Sequence, residues 1–504
     1  MHLAAAAEIF PPQLSWTWTD TQGLLLFLCV LLLVKYVGSL PSRTLPPGPL
    51  PLPVIGNMLS ISVKDPFDSL CQLIDRYGSV SRIDVGPVRC VVLSGIKNFK
   101  EAFLEKAETF AERPSYPLNQ RLCKGLGLIS SNGHIWKQQR RFALSTLKYF
   151  GVGKKTLENS ILQESHFLSD AFHAKQGFLF DPHYLVNNAV ANMICTLVFG
   201  HRFEYGDIHF HQMLKCSEEI FKVPATFWGR LYNQYPAIMD FLPGGHQLAF
   251  SSLDKIKKFI GEEVKRHKDD RNPSDPRDYI DCYLHEIEKQ KDEGAGFTEE
   301  NLLYCVVDLF GAGTETTSNS LRWAILYMAK YPEIQEKVQT EIDQMIGQNR
   351  QPSMDDRARM HFTNAVIHEV QRFGNIVPIA PPRMSNRDTT ISGYKVPKGM
   401  MVVPVLKYIL RDKDEYATPD KFNPEHFLDE NGNFLKKENF IPFSIGKRMC
   451  PGEQLARMEL FLFFTSMLQR FTFRVPEGED PSLESLIGIT CGPKPFKIYA
   501  VSRI

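Results

Sequence analysis

The sequence predicts a mainly α-helical protein with small β-sheets at one side and an apolar helix near the N-terminus. Two stretches alternate apolar and polar residues like strands: 80–93, and 389–405 with a turn at 397–399. The run 23–34 is unbroken apolar sequence. Apolar residues recur at helical spacing over four longer segments, which are 157–200, 252–270, 298–331 and 333–347.

Composition excludes several classes of protein. Lys and Arg number 58 and Asp and Glu 57, a net charge of +1, whereas nucleic-acid binding usually brings a basic excess. Hydrophobic residues make up 43 % and charged ones 23 %, as in ordinary folded proteins. Ten cysteines without a C-x-x-C pair indicate reduced thiols rather than a disulfide scaffold or a zinc site. The 504 residues allow about three domains or one large fold.

The N-terminal apolar run predicts a membrane anchor over residues 1–40. The run 23–34 is short for a span of about 20 residues, but residues 16–19 extend it with tryptophans suited to an interface. A cleaved signal peptide is the alternative, but it carries its positive charge first. Here acidic residues precede the run and basic residues follow it: Glu8, Asp20, Lys35 and Arg43. This order favours an uncleaved anchor with a cytosolic body.

A proline-rich segment separates the anchor from the body. Residues 45–56 read LPPGPLPLPVIG, and prolines at this density cannot continue a helix and favour stiff, extended chain. We therefore expect a hinge over residues 41–56 that holds the body off the membrane, and a single catalytic domain over 57–504.

The segment 443–452, FSIGKRMCPG, is the sharpest local signal. Cys450 precedes a proline and directly precedes a helix that is apolar on almost every face, from 453 to 471. The helix N-terminus and the nearby Lys447 and Arg448 both favour thiolate over thiol. Such a cysteine can be a nucleophile or a ligand for a soft metal centre such as haem iron, and a buried inert cysteine is the bland alternative.

The spacing Phe443-x-x-Gly446-x-Arg448-x-Cys450-x-Gly452 resembles, at every position, the haem-binding loop of the cytochrome P450 family. From the hinge to the C-terminus the chain looks like microsomal family 2 members. The resemblance implies a cytochrome P450 fold in which Cys450 is the axial thiolate ligand of haem b, iron protoporphyrin IX. It also implies that Gly446 and Gly452 let the loop approach the porphyrin, and that Arg448 pairs a haem propionate.

Further propionate partners follow from the same resemblance. Trp136 and Arg140 lie four residues apart on one helical face, where they could be a surface cation–π pair. They match the Trp-x-x-x-Arg of the family, which implies that both donate to propionates, and Arg113 and Arg383 fall where the family has further partners. Two buried carboxylates need such donors.

A second motif is similar to a structural pair of the family. Glu369 and Arg372 lie three residues apart on one helical face, close enough for a salt bridge. They match the Glu-x-x-Arg pair that braces the fold on the thiolate side. The third partner commonly lies in Pro-Glu-Arg-Phe; here that segment is 424–427, Pro-Glu-His-Phe, so His426 is the candidate.

The segment 308–317, DLFGAGTETT, is a poor helix centre. Gly311 and Gly313 each cost about 1 kcal/mol relative to alanine in a helix, so we expect a kink, bulge or ligand contact, or a helix crossing that uses small residues. Residues 312–317 resemble the oxygen-activation motif of the family. The resemblance implies that Thr316 hydrogen-bonds dioxygen or its relayed water and that Glu315 helps deliver protons. Asp308, on nearly the same face as Glu315, either extends this relay or pairs structurally, and we favour the latter.

The resemblance implies a haem-thiolate monooxygenase that inserts one atom of O2 into an apolar substrate. No flavin or nicotinamide motif is present, so electrons would come from NADPH through cytochrome P450 reductase, with cytochrome b5 as a possible second partner, at the cytosolic face of the endoplasmic reticulum. A basic docking patch would comprise Lys137, Arg141, Lys436, Lys437 and Lys447.

The overall likeness points to the arachidonic acid epoxygenase subfamily, so fatty-acid epoxidation or hydroxylation comes first and xenobiotic oxidation second. The pocket would be lined by 113–128, 308–316, 376–382 and 487–490. The alternatives are a haem-thiolate isomerase of lipid peroxides and a non-catalytic, membrane-tethered protein that binds lipid or haem. The Glu315–Thr316 pair argues against both.

Overall fold

The computed structural model of the chain describes residues 18–39, 44–62, 64–289 and 292–503. Residues 16 and 17 and the flanking charges Glu8 and Arg43, on which part of the anchor prediction rests, lie outside the described residues, as do the first three residues of the hinge.

Helices make up most of the described chain, as the periodicity predicts. The first eleven are α1 (Trp18–Ser39), α2 (Pro66–Tyr77), α3 (Ile96–Lys100), α4 (Pro117–Cys123), α5 (Gly133–Tyr149), α6 (Lys155–His173), α7 (His183–Phe199), α8 (Ile208–Lys222), α9 (Phe227–Gln234), α10 (Pro236–Met239) and α11 (Gly245–Asp270). They are followed by α12 (Tyr279–Lys289), α13 (Glu299–Lys330), α14 (Pro332–Met345), α15 (His361–Gly374), α16 (Leu406–Ile409) and α17 (Glu453–Arg470).

The strands are short and form one four-stranded sheet and three two-stranded ones. They are β1 (Val80–Val85), β2 (Val88–Leu93), β3 (Arg383–Met384), β4 (Thr389–Ile391), β5 (Tyr394–Val396), β6 (Met401–Pro404), β7 (Phe471–Arg474), β8 (Ser485–Leu486), β9 (Gly492–Pro493) and β10 (Tyr499–Ser502). The larger sheet has the order β1-β2-β6-β3, in which β2 and β6 are parallel and the other pairs antiparallel. The smaller sheets pair β4 with β5, β7 with β10 and β8 with β9.

The two stretches predicted as strands are both confirmed, with one difference. The region 389–405 contains three strands and two turns, because Ser392 and Gly393 both have positive φ, +47° and +83°, and reverse the chain between β4 and β5. The sequence analysis predicted only the later of these two turns, at 397–399, where Gly399 also has positive φ.

The central element is α13, whose 32 residues run without a break through the main hydrophobic core. Its glycines lie at helix crossings. A Cβ at Gly311 would lie 2.6 Å from the ring of Phe221 on α8, and one at Gly313 would lie 2.5 Å from Ile194 on α7. Of the alternatives that the sequence left open, the crossing of small residues therefore holds for both glycines, because their missing side chains let α7 and α8 approach.

The interface between α13 and α17 contains a buried carboxyl group. Glu459 on α17 is 1 % exposed, and its Oε1 has no hydrogen-bond partner in the part of the chain that the structure describes. Burial raises the pKa of Glu459 to about 8, against a smaller opposing contribution from a hydrogen bond with Thr317 on α13. The group is therefore largely neutral at pH 7.

The segment predicted as an anchor is helical from Trp18 onward, and its apolar side chains from Leu24 to Leu28 are exposed. None of the helices described is both long and apolar enough to cross a bilayer.

Alanine substitutions at two glycines inside helices test whether α7 packs closely against α13. Gly313→Ala should lower the melting temperature, because overpacking against the buried Ile194 costs about 1–3 kcal/mol. Gly261→Ala on α11 should raise it, because nothing lies within 4 Å of its added Cβ and alanine gains up to about 1 kcal/mol in a helix. Thermal unfolding of the two variants checks this, and equal shifts would contradict the close crossing.

The Glu459 carboxyl group makes stability depend on pH. Its pKa rises from 4.5 to about 8 on folding, so the folded protein keeps this proton where the unfolded chain loses it. The associated stability is complete below pH 4.5 and is lost as the pH rises through about 8. Glu459→Gln should therefore gain melting temperature over the parent at about pH 8 and progressively less toward about pH 5. The exposed Glu477→Gln is the control, and equal gains at both pH values would refute the assignment.

Candidate active site

The loop that precedes α17 is closed on itself by backbone hydrogen bonds. Cys450 N donates to Phe443 O at 3.0 Å, and Met449 N donates to Gly446 O at 3.0 Å. Gly446 has a φ of +81°, and a side chain there would collide with the backbone carbonyl of Phe103. This glycine is therefore required by packing within the protein, in addition to any approach to a cofactor. Gly452 has an ordinary φ of −88° and precedes the first residue of α17.

Cys450 lies beside the N-terminus of α17, as the sequence predicts, but its charges differ from those expected. Burial and the charge of Glu453 raise the pKa of the thiol, while the backbone N–H of Gly452 and the charge of Arg140 lower it by less. Lys447 instead pairs with Glu108, and Arg448 turns toward backbone carbonyls. The expectation that the helix N-terminus and these two cations favour the thiolate is therefore wrong for this structure, because burial raises the pKa of Cys450 and only a backbone amide and a cation from α5 oppose that rise.

Arg113 and Arg448 are buried together and share the same partners. Arg448 donates to the carbonyls of Ala111 and Ser131, both at 2.7 Å, and to Asn132 Oδ1 at 3.0 Å. Asn132 Oδ1 also accepts from the backbone N–H of Arg113 at 2.7 Å, and its amide donates to the Arg113 carbonyl at 2.9 Å. Asn132 was missed in the sequence, where an asparagine before a helix indicates only a cap; here it joins both arginines.

The other predicted propionate partners converge on the same place. Arg140 donates to Met449 O at 2.7 Å, and Arg383 donates to Ile445 O at 2.8 Å, so both reach the Cys450 loop from other elements. The Arg448 guanidinium stacks on the Trp136 ring at 3.7 Å from its centroid. The structure thus brings together all five side chains: Arg113, Trp136, Arg140, Arg383 and Arg448.

This cluster has an excess of positive charge. None of its four arginines forms a salt bridge with a carboxylate among the residues described; their hydrogen bonds go to carbonyls and neutral side chains. Burial, with a smaller contribution from neighbouring guanidiniums, lowers the pKa of Arg113 to about 10 and that of Arg448 to about 8. The pKa values of Arg140 and Arg383 also fall, mainly through burial.

Two buried N–H groups in the cluster lack acceptors. Trp136 Nε1 and Arg383 Nε have no hydrogen-bond partner within the described ranges. Unpaired buried donors beside uncompensated cations are costly, and two carboxylates would satisfy both at once. Haem b carries two propionates and takes a thiolate ligand, so the donor set and Cys450 together fit this cofactor.

The helix α13 turns its two predicted catalytic residues in different directions. Thr316 donates its hydroxyl to Ala312 O at 2.9 Å within the helix. The Glu315 carboxylate accepts from Asn319 at 3.4 Å and borders a cavity that also contains Glu218 and Arg322. Burial, followed by the charge of Glu218, raises the pKa of Glu315 to about 7.

Asp308 is bonded to backbone groups. Its Oδ2 accepts from Leu128 N at 2.7 Å and from Ile129 N at 2.9 Å, so it ties α13 to the segment that leads to Ser131 and Asn132. Burial raises its pKa to about 7 against these two hydrogen bonds. These contacts match the structural pairing that the sequence analysis favoured over a proton relay.

The predicted brace is a fully buried network. Arg372 donates to both carboxylate oxygens of Glu369, at 2.6 and 2.7 Å, and its remaining N–H groups bond backbone carbonyls. His426 Nδ1 lies 3.3 Å from each Glu369 oxygen, while its Nε2 accepts from Thr418 N at 3.2 Å. Because Nε2 accepts, the proton is on Nδ1 and faces Glu369. The histidine thus takes up the third position.

The basic residues proposed for a docking patch are mostly paired. Lys137 and Lys447 both pair with Glu108, and Lys437 lies 3.3 Å from a carboxylate oxygen of Glu415. Arg141 and Lys436 are exposed.

Comparisons with known proteins agree with this geometry. The family model described as Cytochrome P450 matches residues 46–500. Cytochrome P450 2J2 of Homo sapiens is 47 % identical over 97 % of this chain and 98 % of its own length. Cytochrome P450 2J3 of Rattus norvegicus is 46 % identical over the same shares, and cytochrome P450 2F2 of Rattus norvegicus is 42 % identical over 95 % and 98 %. The chain belongs to the cytochrome P450 family and is a monooxygenase with haem b as its cofactor.

Proposed function

We propose that this enzyme inserts one atom of O2 into an apolar fatty acid such as arachidonate, by epoxidation or hydroxylation, and that Cys450 would supply the thiolate that binds the haem iron. The observation that carries the assignment of the site is the buried arginine cluster beside Cys450, which lacks the two carboxylates it requires. Trp136 and the arginines 113, 140, 383 and 448 would hold the propionates. The bound haem supplies the oxygen-activating redox chemistry.

The protein's own contribution is to hold and move protons beside that centre. Thr316 has its hydroxyl proton engaged with Ala312 O, which leaves the oxygen lone pairs able to accept from a water or a ligand. Glu315, with a pKa near 7, exists in both protonation states near neutral pH and can give up a proton and regain it. In this proposal Glu315 is the proton source and Thr316 positions the receiving group.

The substrate proposal rests on the apolar lining and on the relatives. Ile376 and Ala380 are buried beside the arginine-bearing segment, and the partly exposed Ile487 and Ile489 lie in the loop between β8 and β9. Ile489 N donates to the carbonyl of Phe221 at 3.0 Å, which holds this loop against the C-terminal end of α8. Apolar side chains from separate elements favour a long hydrocarbon substrate, with xenobiotics as the second class.

Electrons would reach the haem from NADPH through cytochrome P450 reductase, with cytochrome b5 as a further partner. Because the two exposed cations Arg141 and Lys436 remain without a carboxylate partner in the described ion pairs, we assign the docking role to these first.

The membrane proposal combines the N-terminal segment with a second apolar surface. Exposed apolar side chains cluster on α9 and α10 and on the turn that follows, and the most exposed are Phe227, Ile238 and Phe241. The proline-rich segment adds Leu50, Leu52 and Val54. The two surfaces meet at Gly86, in the turn between β1 and β2. Gln234 at the end of α9 lies against Gly86, and the backbone N–H of Gly86 donates to the carbonyl of Ile55 in the proline-rich segment. This continuity favours a lipid surface, that of the endoplasmic reticulum, with the catalytic body in the cytosol.

Cys450→Ala tests the ligand assignment. The variant should lose the red-shifted Soret band of the CO-bound ferrous protein, because that shift requires a thiolate ligand. Cys282→Ala, at a half-buried cysteine on α12, is the matched control and should keep the band. Haem content is measured in parallel, and a persistent red-shifted band in Cys450→Ala would exclude Cys450 as the ligand.

Thr316→Ala tests the catalytic hydroxyl. The variant should still consume NADPH but release more peroxide and form less product, because the proton is no longer guided to the right oxygen; we expect a change of about tenfold in the ratio of peroxide to product. Thr316→Ser should restore the parent ratio. Thr317→Ala removes the neighbouring hydroxyl, which bonds to Glu459, and serves as the control. An unchanged ratio in Thr316→Ala would remove Thr316 from the mechanism.

A further inference from the structure

A cavity of about 40 Å³ with both apolar and polar lining lies between α7, α8, α13 and the loop that joins β8 to β9. Its charged and hydrogen-bonding residues are His183, Asn187, Glu218, Lys222, Glu315, Asn319, Arg322 and Thr490. This volume exceeds the roughly 10–15 Å³ that a cavity needs to hold a water, and the lining offers the polar partners that such a water requires. The cavity can therefore hold water beside Glu315.

The cavity connects a buried acid with solvent. Glu315 is 8 % exposed, whereas the side chain of Lys222 is 53 % exposed and that of His183 is 20 % exposed. The Glu218 carboxylate lies between these positions. The side of the cavity formed by α7 and α8 therefore faces outward, and the side formed by α13 faces inward.

Glu218 is held in place by three donors. His183 Nε2 lies 2.6 Å from Oε1, Asn187 donates to the same oxygen at 3.1 Å, and Lys222 donates to Oε2 at 3.2 Å. Burial opposes ionisation, but the bond and charge of His183, together with Lys222, lower the pKa of Glu218. Glu218 is therefore an ionised carboxylate that holds the His183 ring at the outer end of the cavity.

The inner wall is arranged to receive a proton. The charge of Glu218 raises the pKa of Glu315, and the cations Lys222 and Arg322 oppose it. Arg322 donates to Asn319 Oδ1 at 2.9 Å, which directs the Asn319 amide toward Glu315, and the charge of Asp181 acts on Arg322 from the outer side. These are the groups that face Glu315 from α8, from α13 and from the segment before α7.

We propose that this cavity is the path by which solvent protons reach Glu315, and that His183 and Glu218 form its entrance. The inference rests on the proposed function, in which Glu315 gives a proton to the reaction. Each proton that leaves Glu315 is replaced by one from bulk water, which passes from His183 and Glu218 through the cavity waters to the Glu315 carboxylate. Glu218 and His183 are thus positioning residues, which act through Glu315.

The first test uses a spectroscopic reading of Glu315 that does not depend on turnover. The protonated carboxyl band of Glu315 is assigned in the holoenzyme by infrared difference against Glu315→Gln, and its titration midpoint is then measured. Glu218→Gln removes a negative charge that raises the pKa of Glu315, so the midpoint should fall. Glu219→Gln is the matched control. The Glu219 carboxylate accepts a hydrogen bond from Ser252 on α11 and does not line the cavity, so the midpoint of Glu315 in this variant should equal that in the parent. An unchanged midpoint in Glu218→Gln would overturn the proposal.

The second test measures proton delivery during turnover. Glu218→Gln and His183→Phe should raise the ratio of peroxide to product about tenfold and increase the solvent deuterium isotope effect. His183→Asn, which is smaller and retains a hydrogen-bonding group, should lie between His183→Phe and the parent. If Glu315→Gln raises the ratio of peroxide to product but the His183 and Glu218 variants do not, the assignment of His183 and Glu218 as the entrance is wrong and the proposed function stands. If Glu315→Gln itself leaves coupling unchanged, the role of Glu315 in the proposed function fails.

Discussion

The concentration of buried positive charge beside Cys450 is the constraint on which the site depends. Arg113, Arg140, Arg383 and Arg448 come from separate segments of the chain. Arg140 is only partly buried, whereas Arg113, Arg383 and Arg448 are buried, and burying a guanidinium without an anion costs several kcal/mol. Backbone carbonyls offset part of that cost by accepting their hydrogen bonds. At the proposed site the two propionates of haem b would neutralise the remaining excess charge, which would couple binding of the cofactor to the assembly of these segments.

A second organising feature is that residues at different positions of α13 make different kinds of contact. At Gly311 and Gly313 the helix uses missing side chains to let α8 and α7 approach, and at Asp308 it uses a carboxylate to fix the 127–129 loop. Immediately after these positions, Glu315 and Thr316 point in different directions, because adjacent helical residues are about 100° apart. In the proposed function a proton would therefore arrive on one side of the helix and be used on another.

Much of this could be predicted from the chain. The helical periodicity, the two strand regions and the closed loop around Cys450 all follow from local patterns, and the Glu369–Arg372 pair follows from helical spacing. The sequence was less informative where a contact depends on a distant partner. Lys447 and Arg448 looked like the cations of Cys450 because they are its neighbours in sequence, yet they turn to Glu108 and to backbone carbonyls, and Arg140 of α5 takes that place.

The sequence by itself determined the kind of fold and predicted the cysteine and the basic residue types of the proposed haem site, because spacing along one helix or loop indicates those relations. Only the tertiary structure decided which groups meet. It made Asn132 a joint partner of Arg113 and Arg448 and turned Glu315 toward a cavity shared with Glu218. It also buried Glu459 against α13 with a raised pKa. Burial and charge at long range depend on the packing of segments that are distant in sequence, and that packing sets the pKa values on which the chemistry depends.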